Sequence, residues 1–178
     1  DALPISATFP EEFSAVVAIS PPSMIFGGFP HSNKPAWTYR GAPILPFVGG
    51  LTSDKETLTE TQDILSATQQ GLILFHAGTY EDPYELTPLF LLRLKKYHHL
   101  QDTAAIPVEK IQCPLLVISC EDDKVHPATE YGHLIMQRLE RYHSRIERQH
   151  LHFKQAGHSL RTPYEPKIDL PWELSKGC

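Results

Sequence analysis

One strand–helix–strand pattern constrains the fold more than any other part of the chain. CPLLVISC (113–120) is apolar throughout, as a buried parallel strand is, and RQHLHFKQ (148–155) alternates apolar and polar residues, as a strand towards a sheet edge does. Between them an apolar face repeats at helical spacing, opposite a charged face. The apolar residues are Tyr131, Leu134, Ile135, Leu139 and Tyr142, and the charged ones are Arg138, Glu140 and Arg141. The pattern predicts a right-handed crossover and an α/β fold with a mostly parallel sheet.

The remaining segments predict one further strand and two helices. FSAVVAIS (13–20) is apolar and β-branched, which is typical of a strand buried on both faces. Residues 21–50 are rich in proline, glycine and aromatic residues and show no sustained period, so we expect an excursion outside the sheet. TLTETQDILSATQ then offers Thr59 as a helix N-cap, and LTPLFLLRLKKYHH offers Thr87 as a cap followed by Pro88. We expect these two helices to be inserted between strands as a cap.

Charge and composition argue against several kinds of partner. The 178 residues include 16 Lys and Arg against 21 Asp and Glu, a net charge of −5, and the basic residues form no stripe. We therefore expect no nucleic-acid partner. No apolar run approaches the roughly 20 residues of a membrane-spanning helix, so no membrane span is predicted. The three cysteines, Cys113, Cys120 and Cys178, form no CxxC pair. This favours a reduced, intracellular setting, without distinguishing cytosol, peroxisome or mitochondrion.

Two polar residues that follow predicted strands suggest a catalytic pair. Asp123 comes just after PLLVISC, and His158 lies in the turn AGH just after LHFKQ. Because parallel strands end at the same edge of a sheet, these side chains can come within hydrogen-bonding distance. A carboxylate bonded to one imidazole nitrogen fixes the tautomer, and it stabilises the imidazolium formed when the other nitrogen takes a proton from a nucleophile. Asp122 competes for the acid role, but Asp123, three positions after Cys120, is preferred.

The same residues have a purely structural interpretation. Asp122 and Asp123 could cap the helix that begins near Pro127, and His158 could be a turn residue bonded to backbone. Ser159 directly follows His158 and cannot usefully face that imidazole, so we expect it to cap a helix.

The sequence gives less support to a zinc site or to a cysteine nucleophile. Among ten histidines, His150 and His152 share one face of a strand, and His98 and His99 are adjacent. Two ligands do not close a zinc site, so no metal is predicted. Cys120 ends an apolar strand beside acidic residues, and we expect a buried thiol with a raised pKa rather than a nucleophile.

The nucleophile is the missing part of the pattern. The order acid then histidine matches that of α/β-hydrolases, in which a G-x-S-x-G elbow between a strand and a helix comes first. No such pentapeptide occurs here, so we expect the elbow upstream of residue 1, with residues 7–12 as the remnant of the helix after it. DALPIS (1–6) matches one reading frame of a common sequencing-adapter stretch, and we predict that it is not native.

Two segments carry a family resemblance. AIPVEKIQCPLLVISCEDDKVHPATEYGHLIMQRL and QAGHSLRTPYEP resemble the C-terminal α/β-hydrolase domain of the acyl-CoA thioester hydrolase and bile acid-CoA:amino acid N-acyltransferase family, over about residues 7–166. The resemblance implies that Asp123 and His158 are the triad acid and base, with an upstream serine in hydrolases or cysteine in transferases. It also implies an acyl-CoA substrate and no cofactor. Cys120 stands where glycine is usual, and EPKIDLPW replaces a cysteine-containing stretch, so the subfamily is left open.

Together these features predict a partial α/β-hydrolase domain over residues 7–178. Residues 21–105 form its excursion and cap region, and residues 106–166 carry the acid and the histidine. The expected activity is acyl-CoA thioester hydrolysis, and the isolated chain, without nucleophile and oxyanion hole, is expected to be inactive. Acyl transfer to glycine or taurine, a noncatalytic relative acting as a binding module, and an unrelated hydrolase such as a dienelactone hydrolase or peptidase relative are the alternatives.

Overall fold

The computed structural model describes residues 2–26, 37–44 and 86–158. The predicted helix near Thr59, together with Ser159 and Cys178, lies outside these residues. In chain order the elements are α1 (Ala2–Thr8), β1 (Val16–Ile19), β2 (Thr38–Tyr39), β3 (Ala42–Pro43), α2 (Thr87–Lys96), α3 (Gln101–Ala104), β4 (Leu115–Cys120), α4 (Ala128–Arg141) and β5 (Arg148–Phe153). Short 3-10 turns lie at Pro10–Glu12, His98–Leu100 and Val108–Lys110.

The described residues fall into two compact units. The first holds residues 2–22, 86–87 and 107–158, and the second holds 23–26, 37–44 and 88–106. The proposed domain boundaries, including the cap region at 21–105, stay predictions. Within the described residues, no helix has both the length and the apolar character needed to cross a bilayer.

A parallel three-stranded sheet in the order β1-β4-β5 forms the centre of the first unit. Val16 lies opposite Leu115, and Leu115 lies opposite Arg148 on the other side of β4. Val117, in the middle of β4, is fully buried. The three strands and the parallel pairing predicted from apolar patterning are confirmed, and with α4 between β4 and β5 the unit is α/β.

Helix α4 forms the predicted crossover, but its surface differs from the prediction at two positions. Tyr131, Ile135 and Leu139 are buried as expected. Tyr142 follows the end of the helix and is 52% exposed, so its assignment to the apolar face was wrong. Arg138, predicted to face solvent, donates from two of its nitrogens to Glu109 over 2.6 and 2.9 Å. The physical reason is that the 3-10 turn at Val108–Lys110 packs against α4 and presents a carboxylate to it.

Strand β1 departs from the expectation of burial on both faces. Val16 and Ala18 are buried, whereas Val17 is 54% and Ile19 is 52% exposed. An apolar strand sequence shows that one face is buried, but the second face is covered only if another layer packs there.

Helix α1 covers Ala2–Thr8, whereas the helix was expected at residues 7–12. It packs against β1 and buries Leu3 and Ala7. The helix ends at Thr8 because Pro10 pushes Phe9 out of the helical region, to φ −126° and ψ 62°.

The second unit contains a short hairpin, helix α2 from Pro88 onward, and helix α3. Strands β2 and β3 pair antiparallel across Arg40 and Gly41, whose φ angles of 51° and 78° suit a tight hairpin turn. Near the ends of the predicted excursion, the Ile25 N–H donates to the Ala104 carbonyl over 2.9 Å and the Ile106 N–H donates to Ser23 over 3.0 Å. Residues 23–25 and 104–106, near the two ends of the predicted excursion and cap region (21–105), are therefore paired within the second unit.

Candidate active site

The loop after β4 holds the Asp123 carboxylate in a fixed orientation. Asp123 is 3% exposed, and its Oδ1 accepts the N–H groups of Val125 (2.9 Å) and His126 (3.1 Å). These amides precede α4, whose N-cap residue Pro127 makes no side-chain capping bond. The acid thus shapes its own loop rather than capping the helix. Asp122 is exposed and pairs with Lys124 at 2.9 Å.

The structure brings together the two predicted site residues. His158 Nδ1 lies 2.9 Å from Asp123 Oδ2, and the side chains are 31% and 1% exposed respectively. Within the described residues, His158 Nε2 makes no hydrogen bond. The imidazole is therefore held by one nitrogen and presents the other.

The electrostatics of the pair assign its protons. Burial raises the pKa of the Asp123 carboxyl, but the hydrogen bonds from His158 and the His126 amide, and the nearby imidazoles, together bring that pKa below its ordinary value. Asp123 is therefore a carboxylate at neutral pH, and it can only accept. It follows that His158 Nδ1 is the donor, and in the neutral imidazole this places the lone pair on Nε2, the tautomer that a general base needs.

Two residues of the site were missed by the sequence reasoning. Ser20, just after β1, is buried, and its Oγ donates to the carbonyl of His158 over 3.0 Å. His126 Nε2 donates to the Ser20 carbonyl over 2.8 Å. The available signal was position, because both residues follow parallel strands that end at the edge where Asp123 and His158 lie.

The backbone of Ser20 is strained. Ser20 has φ 44°, in the left-handed region, which costs a non-glycine residue about 1 kcal/mol.

The imidazole of His126 is hard to protonate. Burial is the main reason that the pKa of His126 falls from 6.5 to about 4; the Asp123 charge raises this pKa and the neighbouring His158 lowers it. The rings of His126 and His158 meet edge to face with centroids 4.8 Å apart. His126 is therefore neutral at pH 7.

Thr87 has a different role from the predicted N-cap. Helix α2 begins at Thr87 itself, and Thr87 Oγ1 donates to the Asp123 carbonyl over 2.6 Å. The Leu86 and Thr87 amides donate to the Lys124 carbonyl over 2.8 and 3.2 Å. The Thr87 hydroxyl thus bonds to a residue distant in the chain instead of capping its own helix. Together these bonds hold residues 86–87 against the loop that contains Asp123.

Donor atoms of Asp123, His126 and His158 lie within 4.8 Å of one another, close enough to consider a metal. His126 Nε2 faces a carbonyl and His158 Nδ1 faces a carboxylate, so both nitrogens carry protons. A metal ligand needs a lone pair instead. Hydrogen bonding therefore accounts for the cluster, and the expected absence of a metal stays a prediction.

The other candidate side chains have structural partners. His150 Nε2 lies 2.8 Å from Ser119 Oγ, and the same ring lies so close to Gly132 that it would clash with a Cβ at that position. His152 Nδ1 lies 2.8 Å from Glu121 Oε1. His133, which the sequence reasoning did not include, lies next to both rings with centroids 5.2 and 6.1 Å away.

The Cys120 thiol is buried. Its pKa is raised mainly by this burial and to a smaller extent by the Asp123 charge. The prediction of a buried thiol with a raised pKa is confirmed. Such a thiol is a poor nucleophile at neutral pH.

Comparison with known proteins agrees with the resemblance seen in the sequence. No curated protein matches the chain. The family model described as BAAT / acyl-CoA thioester hydrolase C terminal matches residues 5–175, which include β1, β4 and β5 and all four residues of the site. This chain therefore belongs to the BAAT / acyl-CoA thioester hydrolase C-terminal family.

Proposed function

We propose that Asp123 and His158 are the acid and the general base of an acyl-CoA thioester hydrolase. One observation carries the proposal: a buried carboxylate holds His158 Nδ1 at 2.9 Å, and the ring that bears Nε2 is partly exposed. Family membership supports hydrolase or acyltransferase chemistry on acyl-CoA. The parallel sheet supports a partial α/β-hydrolase domain. That residues 21–105 form its cap region is part of the same proposal.

In the proposed reaction, a serine or cysteine nucleophile attacks the thioester carbonyl carbon. His158 Nε2 accepts the nucleophile's proton and passes it to the CoA sulfur as the C–S bond breaks, which leaves an acyl-enzyme. His158 then takes a proton from water, the hydroxide attacks the acyl carbon, and the proton returns to the nucleophile as the acid leaves. Asp123 stabilises the imidazolium in both steps. No cofactor is needed, because CoA is part of the substrate.

The test joins the full chain, including helix α1, to the elbow-bearing half of the hydrolase domain of a family member and measures CoA thiol release from an acyl-CoA. We expect His158→Ala and Asp123→Asn each to lower kcat by roughly 10³-fold or more, as in other triads. Asp122→Asn is the matched control. The same chemical change, one position earlier on an exposed carboxylate paired with Lys124, should leave the rate unchanged.

Other outcomes have distinct meanings. Thiol release that survives His158→Ala, in the joined protein or in the chain alone, would show that His158 is not the base. Thiol release that rises on adding glycine or taurine, with formation of the amide, would favour acyl transfer over hydrolysis.

A further inference from the structure

We propose that Ser20 and His126 are positioning residues that hold His158 in the orientation required of a general base. The inference deepens the proposed function and rests on it for its biochemical meaning. The inference concerns the orientation and the tautomer of the His158 imidazole, and both can be measured without an acyl substrate.

The four residues form a closed ring of hydrogen bonds. His158 Nδ1 donates to Asp123 Oδ2, Asp123 Oδ1 accepts the amide of His126, His126 Nε2 donates to the Ser20 carbonyl, and Ser20 Oγ donates to the His158 carbonyl. The ring links the loops that follow β1, β4 and β5. Each loop is thereby tied to both of the others.

This ring constrains His158 at two points. The bond to Asp123 fixes one nitrogen of the imidazole, but by itself it allows the main chain of the AGH turn to shift. The bond from Ser20 fixes the main-chain carbonyl of the same residue. Since the torsions between the two anchors are few, the direction of Nε2 is set as well.

His126 adds a steric constraint. Its ring meets the ring of His158 at a centroid distance of 4.8 Å and an interplanar angle of 79°. A ring in this place limits rotation of His158 about its Cβ–Cγ bond. Because His126 donates to a carbonyl, its own orientation is fixed as well.

Ser20 allows the hydroxyl to be separated from the backbone conformation. Its φ of 44° would be relaxed in glycine, so Ser20→Gly removes the hydroxyl without adding strain. The Ser20 amide donates to the Ile118 carbonyl over 2.7 Å, and this bond is retained in the variant. Any loosening of His158 in Ser20→Gly would therefore come from the lost Oγ–H donor.

The experiment is ¹⁵N and ¹H NMR of the histidine side chains in the full chain. In the unmodified protein we expect one His158 tautomer with a low-field Nδ1–H resonance protected from exchange. His126→Phe keeps a ring but loses the donor, and Ser20→Gly loses the hydroxyl. In each we expect loss of the protected Nδ1–H signal and the appearance of the Nε2–H tautomer. His126→Gln lacks the ring but keeps a side-chain N–H for the Ser20 carbonyl, and it should restore most of the signal.

Matched controls change a hydroxyl and a ring elsewhere on the same sheet. Ser119→Ala and His150→Phe break the 2.8 Å bond between those two residues and should leave the His158 signals unchanged. Amide spectra of β4 show that each variant is folded.

An unchanged Nδ1–H signal in folded Ser20→Gly and His126→Phe would overturn the proposal, and so would a loss in His126→Gln as large as that in His126→Phe. Positive NMR results with an inactive joined enzyme would instead count against the acyl-CoA chemistry alone.

Discussion

At the scale of single residues, Asp123 performs two tasks that the sequence presented as alternatives. Oδ1 binds the amides of its own loop, and Oδ2 binds His158. A carboxylate has enough lone pairs for both, so the turn-forming role supports the role in the dyad. The loop bonds orient the carboxylate independently of the histidine, which reduces the conformational freedom that the pairing must remove.

The pKa of His126 predicts a loss of stability in mild acid. A folded-state pKa of about 4 against 6.5 means that the unfolded chain binds a proton first as pH falls. No effect is present above pH 6.5, and the loss grows through the window from 6.5 to 4, to at most roughly 3 kcal/mol. His150, whose pKa is lowered by burial and by His133 and His152, acts in the same direction. The lowered pKa of Asp123 adds a further loss below its ordinary value of 3.8.

Urea denaturation at several pH values between 7 and 4 measures this dependence. His126→Gln does not titrate, and it should therefore lose less stability between pH 6.5 and 4 than the unmodified protein. Equal losses in the two proteins would show that His126 is not the group responsible.

At the scale of elements, the ion pair between Glu109 and Arg138 fixes α4 against the turn at Val108–Lys110. Both side chains are 15% exposed, and the Arg138 guanidinium also lies 4.8 Å from the centroid of the Tyr142 ring. Burial raises the pKa of Glu109, but its bonds with Arg138 and the backbone hold it below the ordinary value. The prediction placed Arg138 on the charged face because of its charge. Its spacing, four positions after Leu134 and three after Ile135, puts it on the side of α4 that packs against other elements, where it meets Glu109.

Breaking this pair should destabilise the first unit. We expect Glu109→Gln and Arg138→Met each to lower the free energy of unfolding by roughly 1–2 kcal/mol, because each leaves a partly buried charge without its partner. The double variant should lose less than the sum, and urea denaturation measures all three. Glu140→Gln, the same change as Glu109→Gln on an exposed residue of α4, is the control. Strict additivity would contradict a direct interaction.

At the scale of the whole molecule, parallel pairing explains why residues far apart in the chain form one site. Ser20 and His158 are 138 positions apart, yet they follow β1 and β5, which flank β4. Since parallel strands all end at one edge, the loops of the site meet there without any local sequence relation. The site therefore depends on β4 holding both neighbours.

That dependence predicts an order of hydrogen-exchange protection. Amides of β4, which has a partner on each side and a fully buried Val117, should exchange only through global unfolding. Amides of β5, whose residues are mostly exposed, should exchange through smaller openings. Native-state exchange at increasing denaturant measures both. Protection in β5 equal to that in β4 would contradict this order.

The sequence by itself determined the three parallel strands, the crossover helix, the acid and histidine pair, and the family. Apolar periodicity and position after a strand are local properties, and local properties can be read along the chain. Tertiary structure alone decided the exposed face of β1, the partner of Arg138, and the hydrogen bonds that Ser20 and His126 make at the site. Each depends on which residues distant in the chain come into contact. The residues next to a serine or a histidine in the sequence do not show which distant group will bind its side chain.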